Sequence, residues 1–179
     1  MTASVVGVHR SGTHSFSKPT VDEITLVEGI GVQGDAHAGT TVQHRSRVKK
    51  NASTPNMRQV HLIHRELFDR LKGAGYTVVP GELGENITTS GVDVLALPVG
   101  ARLTIGEAVI TVTGLRNPCH QINDDQPGLM KQVLYTGESG DVVRLTGVMG
   151  IVSRGGVVRA GDEIDVTLPP EPYYPLTPV

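Results

Sequence analysis

Apolar and polar residues alternate in five short stretches, Ser4 to Val8, Gln59 to Ile63, Arg102 to Ile105, Ala108 to Thr113 and Glu163 to Leu168. A period of two is what a strand with one buried face requires. In the last stretch Ile164, Val166 and Leu168 are set on one side and Glu163, Asp165 and Thr167 on the other, which predicts one face against a core. Gly106-Glu107 separates two strands and reads as a tight hairpin, and Ala160-Gly161-Asp162 leads into another. The period lengthens at two places. From His64 to Lys72, Leu67, Phe68 and Leu71 form one helical stripe, with Gly73 or Gly75 as the stop. A shorter helix is expected over Leu129 to Leu134. Many short strands and few helices predict a mainly β, α+β architecture, closed or nearly closed into a β-barrel so that few edges are left exposed. Gly100 to Ile105 and Gly161 to Val166 share a turn glycine followed by apolar residues at the third and fifth places after it. That likeness is too short to define a repeat.

Two segments break the pattern. Thr40 to Arg58 carries Arg45, Arg47, Lys49, Lys50 and Arg58 with almost no apolar residues, and reads as a basic surface loop rather than a core element. From Pro169 onward Pro169, Pro170, Pro172, Pro175 and Pro178 favour extended backbone, so residues 169–179 form a proline-rich tail, a strap or a disordered end, after one domain over 1–168. A chain of 179 residues suffices for a single core without staples.

Charge and composition narrow the function. With 16 Lys+Arg against 18 Asp+Glu, no global field favours nucleic acid or anionic lipid, and any anion site must be local. Two Phe, four Tyr and no Trp are too few rings for a base-stacking surface. No apolar run approaches the roughly 20 residues that span a bilayer. A single cysteine makes no internal disulfide, and no secretory signal opens the chain, so a cytoplasmic, reducing setting is expected, with no membrane and no nucleic-acid partner.

That cysteine lies in Leu115-Arg116-Asn117-Pro118-Cys119-His120-Gln121. Pro118 restricts its own backbone and biases Asn117 to an extended conformation, so the thiol leaves a strand end in a set direction. Arg116 and a protonated His120 would favour thiolate, the form that ligates soft metals or attacks an electrophile. The alternative is a small buried hydrophobe. Gly31 to Gly39 places Asp35 and His37 two positions apart between glycines. They could supply two metal ligands, but no second cluster accompanies them, and the plainer reading is an Asp-capped turn braced by the histidine. Pro80-Gly81-Glu82-Leu83-Gly84-Glu85-Asn86-Ile87 is a turn through which backbone could approach a phosphate or pterin, with Asn86 and the carboxylates at the ring edges; the alternative is a structural turn. Arg154, in Gly147 to Gly156, could meet an anion or simply be solvated. His9, His14, His44 and His61 read as ordinary.

Taken together, G-x-x-G-D-x-H-x-G at Gly31 to Gly39, R-Q-V-x-L-I at Arg58 to Ile63, P-G-E-L-G-E-N-I at Pro80 to Ile87, R-x-P-C at Arg116 to Cys119, and G-V-x-x-x-V followed by G-G-x-V-x-x-G-D within Gly147 to Asp162 resemble the MOSC family, in its small stand-alone bacterial form. The resemblance covers roughly residues 1–168. It implies a MOSC-type β-barrel, the molybdenum cofactor (molybdopterin), and a role for Cys119 as molybdenum ligand or sulfur carrier. It further implies that Arg58, Glu82, Asn86, Arg116 and Asn117 line the pterin and phosphate site, and the residues themselves add Gly84, His120 and Arg154 as candidates for cofactor binding. Pyridoxal phosphate is not expected. The leading expectation is an oxidoreductase acting on a small N-hydroxylated substrate, with electrons from a separate donor protein; the alternative is a sulfur-carrier or cofactor-transfer module bearing a Cys119 persulfide, not catalytic in itself. A third reading is a binding module with an inert cysteine.

Overall fold

The computed structural model describes residues 2–179. In chain order the strands are β1 (Ser4–His9), β2 (Thr20–Val21), β3 (Glu23–Val27), β4 (Gly31–Val32), β5 (Val60–His64), β6 (Ile87–Ser90), β7 (Arg102–Ile105), β8 (Ala108–Leu115), β9 (Leu134–Thr136), β10 (Val142–Arg144), β11 (Val148–Arg154), β12 (Gly156–Arg159) and β13 (Asp165–Thr167). The α-helices are α1 (Arg45–Val48), α2 (Glu66–Gly73), α3 (Ile122–Asp125) and α4 (Leu129–Val133). Every strand expected from alternation is present, with boundaries moved by a few residues. The mainly β architecture is as expected, and none of the helices among the described residues is long and apolar enough to cross a membrane.

The main sheet has eight strands in the order β13-β7-β8-β11-β5-β6-β1-β2. All neighbours are antiparallel except β5 and β6, which run parallel with Leu62 opposite Ile87. A second sheet, β12-β3-β4, packs on the first, and β9 and β10 form a hairpin. Among the described residues no sheet closes into a barrel. The two ends of the ladder approach each other without a continuous seam: the Val5 N–H donates to the Asp162 carbonyl at 2.9 Å, the Ile164 N–H donates to the Ala3 carbonyl at 2.9 Å, and Ser4 bridges Glu163. The two similar segments noted in the sequence are neighbours, β7 and β13 pairing with Leu103 opposite Val166.

That edge position corrects one expectation. Of the three apolar residues assigned to a buried face in the last strand, only Ile164 is buried, while Val166 and Leu168 are 39% and 46% exposed. An edge strand covered on neither side has nothing to bury them against. The principal core lies between the sheets, built from residues such as Ile24, Leu26, Leu62, Leu103, Ile110, Val112 and Val148. A smaller core gathers Ile63, Leu67, Phe68, Leu71, Leu83, Ile122 and Leu129 beneath the helices.

The proline-rich tail is a strap. Leu115 at the end of β8 donates its N–H to the Thr177 carbonyl at 2.8 Å and accepts from the Val179 N–H at 3.3 Å, and Pro178 bridges it in parallel. On its other side Leu115 pairs with Val148 of β11, so the strand that ends just before Cys119 is held from both sides. A side chain at Gly114 would collide with the Thr177 carbonyl and with Val179. Gly114→Val is therefore expected to release the strap, lowering stability by about 1–3 kcal/mol in urea unfolding and making the tail a target for limited proteolysis; a tail as resistant as the wild type would refute the pinning.

Candidate functional site

The strand β8 delivers Arg116 to Cys119 to the rim of a cavity of about 460 Å³. The turn is held by backbone and side chain alike. The Arg116 N–H donates to the Gly147 carbonyl at 3.0 Å, the Thr146 hydroxyl to the Arg116 carbonyl at 3.1 Å, and Arg144 Nε to Asn117 Oδ1 at 2.9 Å. Pro118 is buried and Cys119 half-buried, both facing the cavity. The Cys119 thiol donates weakly to Gln121 Oε1 at 3.4 Å and lies 3.7 Å from His120 Nδ1. It is not sealed in aliphatic packing.

Opposite walls come from three other segments. The chain entering β5 contributes Arg58, and the basic loop contributes His44, Arg45, Ser46 and Arg47. The turn before β6 contributes Gly84 and Asn86, and the connection between β1 and β2 contributes His14, Phe16 and Lys18. Gly84 has φ +84°, and a side chain there would run into the Phe16 carbonyl, so only glycine lets the two loops meet. Lys18, Arg45, Arg47, Arg58 and Arg116 all line the cavity, and no Asp or Glu among the described residues does.

The electrostatics follow from that imbalance. Burial, with the charges of Arg116 and Arg47, pushes the Arg58 guanidinium down to about 9. Its Nε is buried with no hydrogen-bond partner among the described residues. Burial also lowers Arg116, opposed by Cys119, and neither arginine makes an ion pair among the described residues. Arg116 donates to the Asn117 carbonyl, but desolvated cations that repel one another without a counter-ion are what a missing anion would complete.

Lys18 is differently placed. Its Nζ sits 2.9 Å from Asp35 Oδ2, with both side chains almost wholly buried. Burial raises the Asp35 carboxyl, but the hydrogen bond from His37 and the charge of Lys18 outweigh it and hold the carboxyl well below the ordinary range. On Lys18 burial wins over the pairing and lowers the ammonium. The carboxylate thus profits from the pair more than the lysine does. Asp35 also accepts from the His37 N–H at 2.9 Å, from Asn86 Nδ2 at 3.0 Å and from the Ser11 N–H at 3.3 Å, and the His37 ring lies 3.2 Å away through Nδ1. The Asp-capped turn expected from the sequence is present, and it also lies behind the cavity wall.

Of the residues named from the sequence, Cys119, Arg58, Gly84, Asn86, Arg116 and Asn117 come together around the cavity. Asn86 has little left for a ligand: Nδ2 serves the His9 carbonyl and Asp35, and Oδ1 accepts from the His61 N–H. Three do not line it. Glu82 is exposed beside a separate hollow of about 210 Å³, its Oε2 accepting from the Val79 N–H at 2.9 Å and so bracing its own turn. His120 is exposed and does not line the cavity, although its Nδ1 is near the Cys119 thiol. Arg154 lies at the far end of β11 from the cavity-lining Met149 and donates to the Glu107 carbonyl. Strand geometry puts those ends about 17 Å apart. The sequence reading passed over Lys18, His14, His44 and His61, which line the cavity. No local motif marks them, and all four lie outside the basic run of residues 45–58.

A family model described as the MOSC domain matches residues 34–165. The chain belongs to the MOSC family. YuaD of Bacillus subtilis (strain 168), whose name proposes a role in metal-sulfur cluster biosynthesis, is 30% identical over 180 residues, covering 93% of this chain and 91% of YuaD. The crystal structure of YuaD superimposes with a TM-score of 0.75, covering 93% of this chain and 96% of that one. YiiM from Escherichia coli shares the fold, with a TM-score of 0.61 at 23% identity over 97% of this chain and 73% of its own. Within this MOSC domain the matched span takes in Asp35, Arg58, Asn86 and the Cys119 turn, while the Asp35 partners Lys18 and Ser11 precede it.

The buried pair sets two expectations. Lys18→Met leaves Asp35 desolvated without its cation and should cost about 3–5 kcal/mol in urea unfolding; a loss below about 1 kcal/mol would show that the pair carries little. Because folding depresses the Asp35 pKa, its stabilisation is present in full above the ordinary carboxylate value near 3.9 and is lost as pH falls through and below it. Unfolding midpoints measured downward from pH 6 should fall less in Asp35→Asn than in the wild type.

Proposed function

We propose that this MOSC domain binds the molybdenum cofactor in the cationic cavity, with Cys119 as the molybdenum ligand, and reduces N-hydroxylated compounds with electrons from a separate redox protein. The observation that carries the reading is the cavity's charge: five cationic side chains, no lining carboxylate among the described residues, and a thiol on the wall. A phosphate-bearing pterin with a sulfur-rich metal fits that donor set, because guanidinium groups match phosphate in a bidentate manner and a soft thiolate suits such a metal. The unpartnered Arg58 Nε is a donor that a phosphate oxygen would satisfy.

The residues divide the work. Arg58 and Arg116 would hold the anionic end, and Arg45 and Arg47 of the basic loop would cover it. The turn at Arg116 to Cys119, pinned by Gly147, Thr146 and Arg144, would orient the thiol. When bound, the cofactor would supply a two-electron oxygen-transfer couple, while the protein contributes placement, charge and protons. The overall change is R–NH–OH + 2e⁻ + 2H⁺ → R–NH₂ + H₂O.

A second reading is favoured by the name of YuaD and by the access of Cys119 to the cavity: a sulfur carrier in which Cys119 bears a persulfide. Mass spectrometry of the purified protein separates the two. A labile sulfur adduct on Cys119 without bound pterin supports the carrier; bound pterin, molybdenum and turnover of an N-hydroxylated base support the reductase.

Cys119→Ala is expected to lose both molybdenum and activity after expression with ample molybdate, and stoichiometric metal in that variant would remove the ligand assignment. Neutralising Arg45, Arg47, Lys49 and Lys50 together should weaken cofactor retention at low salt and flatten its salt dependence. Retention that matches the wild type across salt would exclude the loop from the site.

A further inference from the structure

The hollow of about 210 Å³ beside Glu82 shares its walls with the cationic cavity. Phe16 lines both. At two other places the chain passes from one to the other between adjacent residues: Gly84 faces the cavity and Leu83 the hollow, and Gln121 faces the cavity and Ile122 the hollow. Ile122 also donates its N–H to the Cys119 carbonyl at 3.1 Å, so the hollow is built on the turn that carries the thiol.

The two spaces differ in chemistry. Five cations line the cavity, whereas Phe16, Val78, Leu83, Ile122 and Leu129 line the hollow. All five belong to the smaller core, and all but the half-buried Phe16 are buried. Two polar residues form its edge. Gln126 is occupied by Thr77, accepting from its N–H at 3.2 Å and donating to its carbonyl at 2.6 Å. Glu82 is exposed, and only its Oε2 is engaged, on the Val79 N–H. Oε1 makes no hydrogen bond among the described residues and is open to a ligand. A space of this size exceeds the roughly 150 Å³ in which a benzene ring is held by aliphatic walls, and it carries a negative charge at its rim where the cavity beside it carries positive ones.

We propose that this hollow is a specificity subsite: it takes the apolar body of the N-hydroxylated substrate, and Glu82 at its exposed rim selects bodies with a basic far end over those with an acidic one. The inference rests on the reductase reading. An uncharged N–OH end, turned past Phe16 toward Cys119, can enter a cavity of cations that would repel a charged base. Discrimination by charge then falls to the other end of the molecule, where Glu82 attracts a cation and repels a carboxylate. The apolar walls reward a ring or alkyl chain, and a substrate without a body, such as hydroxylamine, gains nothing from them.

The test compares wild type, Glu82→Gln and Val78→Phe, the last filling the hollow. The first readout needs no cofactor: benzamidoxime titrated into the ¹⁵N-labelled cofactor-free chain should shift the amides of Leu83, Ile122 and Leu129, and should do so far less in Val78→Phe. The second uses cofactor-loaded protein with a reduced viologen dye as electron source. In Val78→Phe, kcat/KM for benzamidoxime relative to hydroxylamine should fall roughly 10-fold or more. In Glu82→Gln, the preference for 4-(aminomethyl)benzamidoxime over 4-carboxybenzamidoxime should fall about 3–5-fold, as expected of a partly exposed ion pair. The wild-type titration and the Glu82→Gln preference decide the matter even if Val78→Phe does not fold. Wild-type shifts that spare Leu83, Ile122 and Leu129, or an unchanged ratio in either folded variant, overturn the subsite and leave the reductase reading standing. A wild-type protein that holds the cofactor yet reduces neither hydroxylamine nor benzamidoxime overturns the reductase reading and the substrate assignment with it.

Discussion

The carboxylate of Asp35 is the constraint on which the site depends. Sequestered from water, it is met by the Lys18 ammonium, the Asn86 amide, two backbone N–H groups and the His37 ring. These partners come from the β1–β2 connection, the glycine turn after β4 and the turn before β6, so one group sets the spacing of three loops. A buried carboxylate this well surrounded contributes less to net stability than to uniqueness, since loss of any one partner leaves a desolvated charge. Asn86 extends the hub to β1 and β5 by bonding to the His9 carbonyl and the His61 N–H.

With the loops so held, the cavity they enclose is cationic. Asp35 is consumed by the hub, and Glu85 lies fully buried behind it, Oε1 accepting from the Gly81 N–H and the Thr88 hydroxyl. Neither carboxylate reaches the cavity surface, although the chain as a whole is slightly acidic. Local excess of one charge within low-dielectric walls focuses the field on an anionic ligand far more than net charge would suggest. The Cys119 turn enters this field on a strand held by β11 and by the C-terminal strap, which ties the fold's last residues to its chemistry.

Much of the architecture was legible. The hairpin at Gly106-Glu107 is present as β7 and β8, Ile105 opposite Ala108, because alternation and turn chemistry are local. The stripe of Leu67, Phe68 and Leu71 is buried on α2. Two- and three-residue strands such as β2, β4 and β9 are too short to carry a period and exist through their partners. The exposed face of β13 was misjudged because alternation reveals two faces but not whether anything covers them. Closure of the sheet likewise depends on how its ends meet, which no local pattern encodes.

The sequence by itself determined the β-rich class, the family, the position of Cys119 at a strand end and the absence of any global charge to guide a partner, all being properties of neighbouring residues or of motif order. Tertiary structure decided which cations face one another, that Glu82, His120 and Arg154 do not line the cavity, and that Phe16 lines both it and the hollow beside it. Those facts depend on distances between residues remote in the chain, and such distances are set by packing and by one buried carboxylate rather than by spacing along the backbone.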